Sequence, residues 1–135
     1  MTRAGDERGS AAVELVVLAP VFMMLLAFVV LVGRVQASRA DVEGVAHSAA
    51  RSITLSRTPE AAAGDAQAAA EASLRVGSAT CRSMGWSVAL SDEEVTVTIS
   101  CTIDLAAASI LPVPATQTVS ASSTEVIDRF REGGA

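Results

Sequence analysis

From Leu15 to Gly33 the chain carries no charged side chain, and Val, Leu, Met, Phe and Ala fill nearly all of the 19 positions. At ~1.5 Å per residue a helix of that length rises roughly 28 Å, close to the ~30 Å hydrocarbon thickness of a bilayer. The run is read as a membrane-spanning helix. Glu14 stands at its inner edge, where a carboxylate costs free energy unless a partner neutralises it, and is therefore a candidate functional residue. Pro20 removes one backbone hydrogen bond inside the run and crowds the carbonyl of Val16, so a kink is expected there.

Of 135 residues, about one hundred follow the apolar run, enough for one small domain. Half the chain is hydrophobic but only 3% is aromatic, and much of the apolar share is alanine. A core built that way is thin and depends on close backbone approach. The net charge of -5 leaves no basic patch to neutralise phosphates, so no nucleic-acid partner is expected.

Ahead of the run, Met1 to Gly9 is short, polar and of mixed charge. The apolar run is longer than the core of an ordinary secretory signal, and the residues from Val35 to Ala40 make a poor signal-peptidase site. Arginines flank the run on both sides, Arg3 and Arg8 before it and Arg34 and Arg39 after it, so they do not decide orientation. The size of the C-terminal part and its cysteines favour an extracytoplasmic C-terminus.

Beyond Gly33 the pattern becomes amphipathic. Val35, Val42, Val45, Ala46, Ala49 and Ile53 fall on one helical face, opposite Arg39, Asp41, Glu43, His47 and Arg51. The helix is expected to continue to about Leu55, with Gly33 and Gly44 as places where it can bend. His47 reads as a solvated residue, since no partner lies near it in sequence. Thr58-Pro59-Glu60 then provides an N-cap, a first-turn proline and an acid at the positive end of the dipole. An alanine-rich second helix is expected from there to about Val76, with Gly77 as its stop.

From Trp86 the period changes to two. Trp86, Val88 and Leu90 alternate with small or polar residues, Ser91 to Glu94 reads as a turn, and Val95 to Ile103 places apolar residues at odd positions and hydroxyls at even ones. This is a strand with one buried face. Pro112 and Pro114 interrupt the pattern. Thr116 to Val126 reads as a third, weaker strand, followed by a charged tail. The predicted fold class is α+β: a long N-terminal transmembrane helix extended outward, an Ala-rich helix, then a small antiparallel sheet of about three strands. The predicted divisions are 1–9 as leader, 10–33 as transmembrane helix, 34–57 as its outward continuation and 58–135 as a small extracytoplasmic domain.

Cys81 and Cys101 are expected to pair if this part meets an oxidising compartment; in a reducing one they stay thiols. A loop of about 20 residues closed this way contributes roughly 3 kcal/mol. Two cysteines and the distant His47 do not make a metal set. Asp92, Glu93 and Glu94 read as a solvated turn rather than an acid/base pair. No phosphate-cradling loop and no nucleophile motif is present, so neither a cofactor nor an enzymatic activity is expected.

The stretch from Arg8-Gly9-Ser10 through Val13-Glu14 to Pro20, followed by an apolar run ending in Gly33-Arg34, resembles the N-terminus of TadE-like proteins. These are pilin-like subunits of the tight-adherence (Flp) pilus system. The resemblance implies that a prepilin peptidase cuts between Gly9 and Ser10, making Glu14 the fifth residue of the mature chain. It implies a pilin-like structural protein of the cell membrane whose partners are that peptidase, other pilin-like subunits with their assembly machinery, and the bilayer. Ser10 departs from the bulky residue that major pilins carry after the cut, and the chain is larger than a major Flp pilin. The alternatives are an uncleaved, single-pass extracytoplasmic binding protein, or a secreted domain released near Ala40.

Overall fold

The computed structural model describes residues 6–76, 81–106 and 116–128. The expected helix stop at Gly77, the proline break and the charged tail past Asp128 lie outside them. Helix α1 spans Asp6–Thr54 and α2 spans Pro59–Val76; strands β1 (Cys81–Leu90), β2 (Glu94–Asp104) and β3 (Thr116–Val126) follow. The three strands form one antiparallel sheet in the order β1-β2-β3. The α+β architecture is the one the periodicities predict.

Helix α1 has 49 residues, about 73 Å at the standard rise. It runs as one helix through Pro20, Gly33 and Gly44, and begins at Asp6, inside the polar stretch expected to stay outside it. At its far end Leu55 and Ser56 donate backbone bonds to Arg51 and Ile53, and the chain turns. The Thr58 carbonyl then accepts from Ala62 at 3.0 Å, which places Thr58 at the N-cap of α2. Pro59 takes the first helical position, where its missing N–H is no loss.

The outer half of α1, α2 and the inner face of the sheet share one core. Val42, Ala46, Ala49, Ala50 and Ile53 come from α1, and Ala66, Ala70 and Leu74 from α2 at one turn's spacing. The odd-numbered residues of β2 from Val95 to Ile103 are all buried, and Val119 joins them from β3. Most of the helical contributions are alanine, so the helices approach closely; a larger side chain at Ala46 or Ala50 would have nowhere to go. Leu31, inside the apolar run, also belongs to this core. The head therefore packs down onto the C-terminal end of the apolar stretch.

The opposite sheet face is exposed and lined by hydroxyls. Thr96 meets Thr124 at 2.8 Å and Thr98 meets Ser122 at 3.1 Å, cross-strand pairs of the kind that fix register. Gly85 lies opposite Ser100, and a Cβ there would meet the Ser100 hydroxyl, which would have to rotate away.

Strand β1 starts at Cys81, five residues before the alternation becomes visible in sequence. The cause is a bulge: the register shifts between Cys81 and Ser83, with Cys81 opposite Ile103 and Met84 opposite Cys101. Residues three apart fall on opposite faces of a regular strand. The extra residue returns Cys81 to the inner face, beside Met84.

Candidate functional site at the membrane end of the long helix

From Val13 to Val30 the large apolar side chains of α1 are exposed, most of them by more than half of their surface. The helix has a mean hydropathy of 3.1 in its most apolar window, and none of that window is buried within the molecule. A soluble protein would buffer such a surface against itself; here nothing in the described chain covers it, and the helix is a candidate membrane anchor. Core packing takes over at Leu31, so the uncovered apolar stretch from Val13 to Val30 rises about 27 Å. That matches one hydrocarbon layer.

Glu14 falls at the N-terminal edge of this stretch, next to Val13. Its side chain is exposed, as are the neighbouring residues from Gly9 onward. Ser10 is four residues away, so the two share a helix face one turn apart. Gly9 has open space around its Cα, and a side chain there would meet nothing within 4 Å. Folding gives no reason for glycine at this position.

In the head, Cys81 and Cys101 are joined, with Cα atoms 5.5 Å apart. Arg82, the bulged residue, reaches the Asp104 carboxylate at 3.0 Å, so the ion pair and the disulfide together close the same end of the sheet. The turn after β1 is organised by Ser91, whose hydroxyl accepts from the backbone N–H groups of Glu94 at 3.0 Å and Glu93 at 3.4 Å.

His47 has partners that the sequence did not announce. Its Nδ1 lies 2.9 Å from the Glu125 carboxylate and 3.5 Å from the Ser123 hydroxyl. Serine, histidine and an acid thus meet on one patch, but both contacts converge on the same ring nitrogen. A catalytic triad needs the acid on one nitrogen and the hydroxyl on the other, so this group lacks that geometry. Among the described residues no cluster of three metal-ligating side chains occurs.

The site is thus a single long helix with a bare apolar half, an acid near its N-terminal end and a small α+β head packed on its other half. Residues 9–51 match the model of the TadE-like protein family. Over that segment the chain is similar to TadE-like proteins; the match ends at Arg51 and does not extend over α2 or the sheet. No curated protein and no solved structure matches the chain.

Proposed function

We propose that the chain is processed by a prepilin peptidase between Gly9 and Ser10 and then acts as a pilin-like structural subunit in assembly of a tight-adherence pilus or a related apparatus. Its role is structural rather than catalytic, and its head faces outward from the cell membrane. The observation that carries this reading is the family match over the anchoring helix, which begins at Gly9 itself.

Cleavage leaves a charged amine on Ser10. In hydrocarbon an unpaired charge costs up to about 2.5 to 3.5 kcal/mol on insertion scales, less near the boundary. Glu14, one turn further in, neutralises its own amine before assembly or a neighbour's once helices pack side by side. The second arrangement selects one stagger between subunits, since sliding by a turn separates the charges. The N-terminal sequence of membrane-extracted protein tests the processing step: the expected chain starts at Ser10, and Gly9→Val retains Met1. A wild-type chain that keeps its first nine residues while functioning overturns the proposal and leaves an uncleaved anchor.

A further inference from the structure

The charges of the head are sorted along its length. On α1 the first charged side chains beyond the apolar stretch are Arg34 and Arg39, and the acids Asp41 and Glu43 come farther out. On α2, which returns beside α1 after the turn at residues 55–58, the last charge is Arg75, with Glu71 one turn farther from the apolar stretch. Arg34, Arg39 and Arg75 are all exposed. Arg82, near the start of β1, is held by Asp104 at 3.0 Å and adds no net charge. Residues 77–80 and 107–115, which continue the chain from these ends of α2 and β2, contain no charged residue and do not alter the balance. A chain with a net charge of -5 therefore turns a basic end toward the apolar half of its own anchor.

The arginines share a narrow layer. Asp41 and Ser73 line one groove between α1 and α2, with Ser52 and Ala66 farther along it. Antiparallel helices in that register bring Val76 level with about residue 38, roughly 7 to 8 Å beyond Gly33 by helical rise. The polar layer of a bilayer adds about 5 to 7 Å to the hydrocarbon on each side. Arginine side chains are long enough to reach back into it. Val76 is 86% exposed, more than any other large apolar side chain among the described residues. An apolar residue set among arginines at that depth is the composition of a surface that lies on lipid.

We infer that the end of the head nearest the apolar stretch docks on anionic lipid headgroups of the bilayer that holds α1. Arg34, Arg39 and Arg75 take the phosphates, and Val76 enters the boundary between headgroups and acyl chains. The occupant follows from continuity, because the surface begins where the candidate anchor ends. Contact through two helices fixes the tilt and rotation of α1, which a single span leaves free. The inference goes beyond the pilin-like reading and rests on it only for the helix lying in a membrane; it holds whichever side the head faces.

The test reads the lipid beside Val76 directly. The full chain carrying Val76→Trp and Trp86→Phe is placed in discs of equal phosphatidylglycerol and phosphatidylcholine, with bromine on the acyl chains of one lipid or the other as quencher. Brominated phosphatidylglycerol should quench at least about twofold more than brominated phosphatidylcholine. Adding Arg39→Gln and Arg75→Gln should bring the two to equality, while Arg51→Gln with Arg57→Gln, at the far end of the head, should leave the preference unchanged. With both original side chains at 76 and 86 kept, native mass measurement of the chain released from such discs should show about twofold fewer bound phosphatidylglycerol molecules once Arg39 and Arg75 are replaced. That second readout does not require the tryptophan exchange to be tolerated. Equal quenching by the two lipids, no quenching by either, or a preference that survives loss of Arg39 and Arg75 overturns the inference. A chain that enters discs without a lipid preference leaves the anchor and the proposed processing standing; a chain that does not enter them overturns the anchor as well.

Discussion

The two halves of α1 belong to one helix and live by different rules. The inner half is apolar on every side and uncovered from Val13 to Val30; the outer half is apolar on one face, and that face is buried from Val42 to Ile53. In the inner half the residues are large and meet no packing partner among the described residues, which suits a candidate membrane anchor, since lipid accommodates any shape. In the outer half the contact residues shrink to Ala46, Ala49 and Ala50, because a rigid sheet and a second helix must fit against them. Hydrophobicity alone therefore does not distinguish a membrane surface from a packing surface. The size and sidedness of the apolar residues do.

If the head really depends on tight packing around a thin core, it depends equally on its crosslink. Replacing Cys81 and Cys101 together by alanine should lower head stability by roughly 3 kcal/mol, the closure entropy of a loop of this length. Denaturant unfolding of the full chain in detergent, followed by Trp86 fluorescence, measures it. Membrane retention of the variant should stay the same, because the inner half of α1 takes no part in that core. A parallel loss of anchoring would break the comparison.

A smaller and sharper contrast comes from adding volume. Ala46 is fully buried between helix and sheet, and Ala46→Leu should cost about 1 to 3 kcal/mol through overpacking. Ala19 is exposed on the inner half, and Ala19→Leu should leave head unfolding unchanged within about 0.5 kcal/mol. The same denaturant experiment reads both. Equal effects would mean that the two halves are not packed differently.

Much of this was legible beforehand, for stated reasons. The change from an all-round apolar run to a one-sided pattern at Gly33, the Thr58-Pro59 start of α2 and the strict alternation in β2 are local signals, and each element formed where its signal lay. Strand β3 occupies Thr116–Val126, as its Thr/Ser-rich pattern suggested. The start of β1 was hidden because a bulge breaks the period between Cys81 and Met84, and periodicity is the only local sign of a strand. The descent of the head onto Leu31 was hidden too, since nothing in an apolar run says which end another element will cover. Of the candidate site, Glu14 was visible as a charge out of place.

His47 shows the same limit and carries the smallest expected effect. The inward row of β3 changes from Val119 and Ala121 to Ser123 and Glu125 toward its distal end, so a polar patch sits where an apolar stripe would be expected to continue. Helix α1 answers with His47, 2.9 Å from Glu125, an ion pair whenever the ring is protonated. The pair ties the helix to the edge strand beyond the reach of the core, but His47 is 59% exposed, and water screens most of its attraction. A double-mutant cycle of His47→Ala and Glu125→Ala should return a coupling of about 0.2 to 1 kcal/mol in head unfolding. A value well above that range would make the pair a principal clamp between helix and sheet, and would shift the weight of the outer half from apolar fit toward charge.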